Sequence, residues 1–501
     1  MEYRHYRTFC RRISETSVKD ILLATINAKW IHPSLALRLL KANLGALEDR
    51  CEILEFALRQ PLCEKTDPIL AARPLILGIS VSIWNHTATL ELLGELEKSW
   101  AGQRPVIILG GPEVSHLPPE AEIFRYADYV VQGEGENAFR TLCEEILTDK
   151  IGSGETAQHA ARFIRAENVD VSKIKSAYHL YADEDVTKKL IYVEASRGCP
   201  FNCEFCLSAN KGGEDKEMAD SKVREFPIEP FLAQMDELVR RGAKTFKFLD
   251  RTFNININRA RGIMEFFLEK LRQKNKFTVH FEMVPSLFPQ TLRETLSRFP
   301  SGSLRLEVGI QTLNPEVAVR ICRAGYQQKD ISDFPEKELE AVRFLREKTN
   351  AIIHADLIAG LPGEDLESFG RGFDRLLACL TLSKSPSTET GNMEIQAGIL
   401  KLLPGTPISR HNNSFGMVYD SLPPYEIKET SAISAADLLR LKNFARFWEI
   451  IVNRKLTGFN ANKFTFEKFL ALSDSLYAHF KKNWGIDKDE LRKAVNNFYI
   501  L

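Results

Sequence analysis

The stretch Ala195-Ser-Arg-Gly-Cys-Pro-Phe-Asn-Cys-Glu-Phe-Cys-Leu207 decides the fold of this chain. It places Cys199, Cys203 and Cys206 in the spacing C-x3-C-x2-C. Three thiols this close can converge on one metal centre, but they cannot complete the four-ligand site that structural zinc prefers. Three thiolates can instead hold three irons of a [4Fe–4S] cluster and leave the fourth iron open to an external ligand.

The remaining cysteines do not complete another kind of site. Six are scattered singly along the chain: Cys10, Cys51, Cys63, Cys143, Cys322 and Cys379. Structural zinc would need a second cysteine pair, and the sequence contains none. An odd total of 9 cysteines in 501 residues, with no secretory signal, argues against a disulfide framework. The cysteine pattern therefore favours a metal cluster in a reducing, cytoplasmic location.

Composition sets the broad class of the protein. The chain has 501 residues, of which 44% are hydrophobic and 27% charged, as in a globular protein of two or three domains. Lys plus Arg and Asp plus Glu both total 67, and this zero net charge argues against a nucleic-acid partner. No apolar run is long enough to predict a membrane span.

Apolar runs alternate with helical stretches in the first third of the chain. Five runs predict strands: residues 21–25, 51–56, 75–82, 106–112 and 129–136. Residues 35–47 and 88–100 between them show helical spacing. This alternation predicts a doubly wound parallel sheet of the Rossmann-like α/β class. Ligands of such sheets lie at the carboxyl ends of the strands, where Gly110 and Gly111 fall.

A second alternation starts at the cysteine motif. The apolar residues 190–195 predict a strand that ends at the motif, with Gly198 at the turn into the loop. Five more strands are predicted, at residues 245–250, 277–284, 304–311, 352–360 and 393–400. Six strand–helix units predict an incomplete parallel (βα)6 barrel. The polar residues Glu282, Gln311 and Asp356 interrupt these strands near their carboxyl ends, where burial is costly unless the group is paired or used.

The cysteine motif, with Phe205 before its last cysteine, resembles the signature of radical S-adenosylmethionine (SAM) enzymes. Residues 307–315 and 356–364 resemble motifs of the branch that includes oxygen-independent coproporphyrinogen oxidase and the methylthiotransferases. The resemblance implies a [4Fe–4S] cluster on the three cysteines, with SAM chelating the open iron. It also implies a set of SAM-binding residues: Phe205; Glu282 for the amino group, with Asp250 as a further candidate; Arg323 for the carboxylate; and Gln311 and Asp356 for the carboxylate or ribose.

The first alternation resembles the cobalamin-binding domain that precedes many radical SAM barrels. The resemblance lies in residues 110–115 and 128–136. It implies that these positions bind cobalamin: Ser80, Ser82, Gly110, Gly111, Gly133 and Glu134. The Asp-x-His-x-x-Gly motif of cobalamin mutases is missing, and His32 is the only imidazole in the equivalent stretch. We therefore expect cobalamin to bind without a protein imidazole.

The predicted domain order follows from these stretches. Residues 1–17 form an extension, 18–165 a cobalamin-binding domain, 166–187 a linker, 188–410 the radical SAM barrel, and 411–501 a helical domain. In the last of these, residues 434–452 and 464–480 are helical and rich in aromatics. The aromatics are interpreted as a hydrophobic core, with a substrate pocket as the alternative.

The predicted function is a cobalamin-dependent radical SAM enzyme. By the resemblance, it would cleave SAM to a 5′-deoxyadenosyl radical and transfer a methyl group from methylcobalamin to an unactivated carbon. The substrate, a small molecule or peptide, is not indicated. An electron donor such as flavodoxin or ferredoxin is expected. Two alternatives stay open: a cobalamin-using radical reaction without methylation, such as a rearrangement or cyclisation, and a non-catalytic cofactor-binding or sensing protein.

Overall fold

The computed structural model describes residues 19–148, 161–209, 223–326, 333–381, 393–456 and 464–500. The predicted extension at residues 1–17 lies outside them. The chain folds into two compact units. The first comprises Met1–Val193 and Glu225–Thr245, and the second comprises Glu194–Arg224 and Phe246–Leu501. None of the described helices is long and apolar enough to cross a membrane.

The first unit contains a six-stranded sheet with the order β2-β1-β3-β4-β5-β6. Its strands are β1 (Ile21–Asn27), β2 (Cys51–Ala57), β3 (Ile76–Ser80), β4 (Val106–Gly110), β5 (Tyr129–Gln132) and β6 (Arg162–Arg165). Every neighbouring pair is parallel. Its helices are α1 (Leu35–Ala42), α2 (Cys63–Ala72), α3 (His86–Ser99), α4 (Gly135–Leu147), α5 (Asp183–Lys188) and α6 (Ile228–Arg240). The predicted doubly wound sheet is confirmed, with β6 as an additional strand.

Burial on both faces explains the continuous apolar runs of this sheet. Along β1, Leu22 and Ile26 join one hydrophobic core while Ile21 and Leu23 join another. Successive side chains of a strand point to opposite faces, so helices cover both sides of the sheet. The edge strand β6 has the sequence Arg-Phe-Ile-Arg and is mostly exposed, which is why it gave no apolar signal.

A buried ion network holds the segment predicted as a linker against the first sheet. Arg38 on α1 contacts Asp185 on α5 over 2.9 Å and Glu55 on β2 over 2.8 Å. Its guanidinium also lies over the ring of Tyr181, 4.6 Å from the centroid. Part of residues 166–187 is therefore fixed to the unit that precedes it.

A second six-stranded sheet has the order β14-β13-β12-β11-β10-β7. The strands from here onward are β7 (Ile191–Val193), β8 (Ser196–Arg197), β9 (Arg224–Glu225), β10 (Thr245–Phe248), β11 (Thr278–Met283), β12 (Leu304–Gln311), β13 (Ile352–Ala359), β14 (Met393–Ile399), β15 (Val418–Tyr419) and β16 (Ile427–Glu429). The pairs β11–β12, β12–β13 and β13–β14 are parallel. Helices α7 (Ile257–Arg272), α8 (Gln290–Ser297), α9 (Pro315–Arg320), α10 (Glu336–Lys348) and α11 (Leu366–Thr381) alternate with these strands. The predicted incomplete parallel barrel is confirmed.

Three helices end the chain: α12 (Ala435–Trp448), α13 (Phe466–Phe480) and α14 (Lys488–Ile500). Phe444 and Phe469 are fully buried and meet edge to face, with ring centroids 5.2 Å apart. Trp448 stacks on Phe444 and meets Phe373 of α11 edge to face. These aromatics form a core, as interpreted from the sequence, and α14 was not predicted.

Candidate active site

The loop that carries the three cysteines starts at a buried carboxylate. Asp250, which follows β10, accepts hydrogen bonds from the Ala195 amide over 2.9 Å and from the Ser196 hydroxyl over 2.6 Å. Burial raises the pKa of Asp250 to about 6. Gly198 then turns the chain with φ of 96°, a conformation that favours glycine. Asp250, predicted as a further candidate for the SAM amino group, has both oxygens engaged in holding this loop.

The three thiols of the loop have different surroundings. The Cys199 sulfur lies 3.4 Å from the Thr252 hydroxyl, and burial raises the pKa of this thiol. Cys203 is buried, whereas Cys206 is partly exposed. Within the described residues, no three His, Cys, Asp or Glu side chains gather around a single ion position. A [4Fe–4S] cluster does not need that arrangement, because each thiolate binds a different iron, so three thiols in one loop fit the cluster.

A second loop, between α9 and α10, contacts Cys203. The Ala324 amide donates to the Cys203 sulfur over 3.2 Å, and the Arg323 guanidinium does so over 3.8 Å. Cys322 and Ala324 both have left-handed backbones, with φ of 52° and 48°. Such backbones are uncommon outside glycine and occur at functional sites. The loop therefore places an N–H and a cation at one predicted cluster ligand.

Arg320 and Arg323, three residues apart, do not share a helix face. Helix α9 ends at Arg320, and the left-handed Cys322 redirects the chain before Arg323. Arg320 donates to the Pro362 carbonyl over 2.6 Å and lies over the ring of Phe415. Arg323 instead points into the site and is buried. The two arginines thus differ in their contacts, although three residues separate them in sequence.

Arg323 and Gln311 converge at an irregularity in β12. The pairing with β13 shifts register between Gly309 and Gln311, and Gln311 has a φ of 70°. Arg323 also donates to the Gly309 carbonyl. A Cβ at Gly309 would lie 2.6 Å from the Gln311 side-chain nitrogen and 3.5 Å from Arg323 Nη2. Glycine therefore leaves room for both polar side chains, of which Arg323 reaches Cys203.

The barrel interior carries a row of ionisable side chains. Glu282, Glu307, His354 and Glu394 are aligned across β11 to β14 by the strand register. His354 contacts Glu394 over 2.9 Å and Asp356 over 3.2 Å. Glu307 contacts His280 over 3.3 Å and Lys247 over 3.5 Å. Side chains that alternate along parallel strands therefore build this polar interior.

The pKa values within this row diverge. Burial alone would raise the pKa of Glu307 and lower that of His354. At Glu307, the His280 contact and the charges of Lys247 and His354 together outweigh burial and lower the pKa to about 2. Hydrogen bonds to Asp356 and Glu394 raise the pKa of His354 to about 10. Glu394, paired with His354 and Arg305, has a pKa lowered to about 2. This part of the interior thus holds charges of both signs that neutralise one another.

Glu282 is the exception in the row. Burial, followed by repulsion from Glu307, raises its pKa to about 7. Its carboxylate makes no hydrogen bond or ion pair with any residue that the structure describes. A buried carboxylate is costly unless a cation meets it. The geometry therefore suits an N–H donor of a ligand, as the predicted contact with the SAM amino group requires.

In the first unit, the predicted cobalamin positions lie at the carboxyl edge of the sheet. Ser80 of β3 pairs in register with Gly110 of β4. Gly111 has a φ of 107°, and a Cβ there would lie 2.5 Å from the Val81 carbonyl. Asn85, which the sequence analysis did not single out, accepts from the Ser82 amide over 2.7 Å and donates to the Ile26 carbonyl over 2.9 Å. The two loops are therefore tightly constrained.

Other predicted positions in this unit have internal partners. The Gly133 amide donates to the Ser115 hydroxyl over 3.2 Å, and the Glu134 carboxylate accepts from the Val169 amide over 2.9 Å. His32 Nδ1 lies 2.8 Å from the Tyr192 hydroxyl. Glu134 and His32 thus have structural contacts, and a glycine-lined edge remains as the surface that a flat ligand could approach.

The same two parts of the chain match known families. Residues 193–376 match the model of the Radical SAM superfamily, and residues 21–143 match the B12 binding domain. The chain therefore carries a radical SAM domain preceded by a B12 binding domain, as its sequence predicted. A radical SAM domain implies a [4Fe–4S] cluster and SAM, and a B12 binding domain implies cobalamin.

Individual relatives match parts of the chain. Bacteriochlorophyllide d C-8(2)-methyltransferase of Chlorobaculum tepidum is 29% identical over 155 residues, which are 31% of this chain and 32% of that protein. The cobalamin-dependent radical SAM methyltransferase TokK of Streptomyces tokunonensis is 25% identical over 183 residues, or 32% of this chain and 26% of that protein. The chain thus spans about a third or less of the length of these relatives.

Solved structures share the fold over most of the chain. The cobalamin-dependent SAM radical enzyme OxsB, with aqua-cobalamin and SAM bound, has a TM-score of 0.59 at 14% identity. That match covers 97% of this chain and 79% of OxsB. The radical SAM methyltransferase TsrM of Kitasatospora setae, with cobalamin and a [4Fe–4S] cluster, has a TM-score of 0.56 at 18% identity, covering 80% and 78%. At these identities the likeness shows the fold.

Proposed function

We propose that this protein is a cobalamin-dependent radical SAM methyltransferase acting on an unactivated carbon. The observation that carries the proposal is the contact of Arg323 and the Ala324 amide with the buried Cys203, in a radical SAM domain that a B12 binding domain precedes. The bacteriochlorophyllide enzyme and TokK are both methyltransferases, which supports methylation as the reaction.

Cys199, Cys203 and Cys206 would hold three irons and leave the fourth to SAM. When bound, the cluster supplies the electron that cleaves SAM, and cobalamin supplies the methyl group. The protein contributes alignment. The Ala324 amide and the Arg323 guanidinium direct positive charge at the Cys203 sulfur.

The polar groups of the barrel mouth would orient SAM. Arg323 has a planar fork that matches a carboxylate, and Gln311 lies beside it. Glu282, without a hydrogen-bond partner among the described side chains, would accept from the SAM amino group. Asp356, on the same barrel face as His354, would take the ribose. Strands β11, β12 and β13 carry Glu282, Gln311 and Asp356, the loop after α9 carries Arg323, and Phe205 lies between the cysteines.

Cobalamin would bind at the carboxyl edge of the first sheet. Gly110 and Gly111 leave the backbone accessible there, next to Ser80 and Ser82, and Gly133 borders the neighbouring strand. His32 is engaged with Tyr192, which supports binding without a protein imidazole. The proposal also requires a one-electron donor, such as a flavodoxin or ferredoxin, and the reducing cytoplasm would suit both the cluster and that donor.

Transfer of a labelled methyl group tests the proposed reaction class. The anaerobically reconstituted protein would be mixed with cobalamin, a reductant and SAM carrying a trideuterated methyl group. Mass spectrometry should then find S-adenosylhomocysteine and trideuteromethyl cobalamin. If 5′-deoxyadenosine forms without either product, the non-methylating alternative replaces methylation. A protein that forms none of the three products would contradict the radical SAM assignment itself.

A further inference from the structure

A buried carboxylate occupies the middle of the cysteine loop. Glu204 follows Cys203 directly and lies two residues before Cys206. Only 5% of its side chain is exposed. Neither the cluster nor SAM binding, as proposed above, gives this residue a role. A carboxylate this deeply buried needs compensating partners, and the identity of those partners indicates what it does.

Two adjacent residues from a distant part of the chain bind Glu204. Arg410 Nη2 lies 2.5 Å from Glu204 Oε1, and His411 Nε2 lies 2.8 Å from Oε2. Both partners are in the short helical turn Pro407–His411, which follows the last barrel strand. The Arg410 side chain is 60% exposed, whereas that of His411 is 11% exposed. The carboxylate is thus enclosed, and its principal counter-charge lies at the solvent boundary.

Backbone contacts fix the same point of the loop. The Glu204 amide donates to the Ile321 carbonyl over 3.0 Å, and the Ile408 amide donates to the Glu204 carbonyl over 3.0 Å. The Cys322 thiol donates to Glu204 Oε1 over 3.5 Å. Both the side chain and the backbone of Glu204 are therefore tied to residues 321–322 and 408–411. No other residue between Cys203 and Cys206 has comparable contacts among the described residues.

The partners of Glu204 are themselves anchored. His411 meets the Phe415 ring edge to face, with centroids 5.8 Å apart. The Arg320 guanidinium also lies over the Phe415 ring, 4.8 Å from its centroid. Arg320 in turn donates to the Pro362 carbonyl. This chain of contacts connects the cysteine loop to the loops that follow β12, β13 and β14. Rigid support of this kind is what holds metal ligands in place.

We propose that Glu204 is a positioning residue for the cluster, and that the charge balance between Glu204 and Arg410 sets the reduction potential of the cluster. The proposal rests on the proposed function, because it assumes the cluster on the three cysteines. Net charge near an iron–sulfur cluster shifts its potential. A nearby negative charge destabilises the reduced cluster, which carries one more electron, and a nearby positive charge stabilises it.

The charge balance can be changed by substituting either Glu204 or Arg410. Glu204→Gln removes a negative charge while it keeps the size of the side chain and an oxygen that can accept from Arg410. Arg410→Gln removes the positive charge from a side chain that is largely exposed, so this variant should fold. Glu347→Gln is the matched control, because Glu347 is exposed on α10, just before the amino end of β13 and therefore at the opposite end of the barrel from the cysteine loop.

The potential of the SAM-free cluster would be measured by redox titration followed by electron paramagnetic resonance, together with iron content. We expect Glu204→Gln to have a higher potential than the unmodified protein, Arg410→Gln a lower one, and Glu347→Gln the same one. A purely structural role would not shift the potential in opposite directions. If Glu204→Gln loses iron while the control keeps it, the positioning role is supported, and Arg410→Gln decides the role of charge.

Failure of this inference and failure of the proposed function would give different results. If the unmodified protein binds iron and the potentials of Glu204→Gln and Arg410→Gln equal that of the control, or shift together, this inference is wrong and the proposed function stands. If the unmodified protein binds no more iron than Cys203→Ala, the assignment of the cluster to these cysteines is wrong, and the proposed function fails with it.

Discussion

The Ala324 amide donates a hydrogen bond to the Cys203 sulfur over 3.2 Å, across 121 residues of sequence. Two unusual features make this contact possible. Ala324 has a left-handed backbone, and the loop reverses at Cys322 immediately after α9 ends. Hydrogen bonds to the sulfur of a cluster ligand raise the reduction potential. The loop after β12 is therefore part of the cluster environment as well as the source of Arg323.

Arg323→Ala should weaken SAM binding while Arg320→Ala should not. A hydrogen bond between charged groups contributes about 1.5–3 kcal/mol, or roughly ten- to a hundredfold in affinity. Because Arg323 also donates to Cys203, its loss should alter the resonance signal of the cluster even without SAM. SAM titrations of the two variants, with iron content measured in parallel, make the comparison. Equal effects of the two substitutions would contradict the assignment of Arg323.

Gly309→Ala should impair SAM binding without unfolding the protein. The added methyl group would lie 2.6 Å from the Gln311 side-chain nitrogen, which must move away from Arg323. The displaced atom is the end of a flexible side chain, so the cost should fall on the ligand site, with SAM binding weakened about tenfold. Gly262→Ala on α7 is the control, because nothing lies within 4 Å of its added Cβ. Similar SAM affinities in the two variants would refute the role given to the bulge.

SAM affinity should fall below neutral pH through Glu282. Its pKa is about 7, and the ionised carboxylate accepts from the SAM amino group much more strongly than the neutral acid does. Below that pKa, each pH unit should therefore weaken binding by about tenfold, whereas above it the affinity should level off. Isothermal titration between pH 5.5 and 8.5 would show the slope. In Glu282→Gln the slope should disappear, and a slope that persists there would assign the titration to another group.

Through His354, the stability of the protein should fall as the pH becomes alkaline. Its pKa is raised to about 10, against about 6.5 in an unfolded chain. The stability that its charge provides is complete below the lower value and is lost as the pH rises through the higher one. The thermal midpoint should therefore fall more between pH 7 and pH 10 in the unmodified protein than in His354→Gln. The exposed His479→Gln should behave as the unmodified protein does.

The sequence predicted those parts of the fold whose signals are local. The cysteine motif is contiguous, and the strands of the first sheet are apolar throughout because both of their faces are buried. Edge strand β6 was missed because it is short and exposed, and α14 because its sequence is strongly polar.

The candidate site was less accessible to prediction where it depends on distant contacts or on backbone conformation. Glu204 and His411 lie 207 residues apart, and neither carries a local signal of their contact. The positive φ of Gln311 and the reversal at Cys322 depend on packing, so the backbone conformation that orients Arg323 could not be inferred from the sequence. The residue types of the site were predictable from the sequence, but the distant contacts and backbone conformations that position them were not.

The most direct test of the central claim is the formation of 5′-deoxyadenosine by the anaerobically reconstituted protein. SAM and a low-potential reductant would be supplied, and the product measured by mass spectrometry, with Cys203→Ala and the unpaired Cys63→Ala compared at equal concentration. We predict that the unmodified protein and Cys63→Ala form 5′-deoxyadenosine and contain about four irons per chain, whereas Cys203→Ala forms none. Formation of 5′-deoxyadenosine by Cys203→Ala at the rate of the unmodified protein would contradict the account.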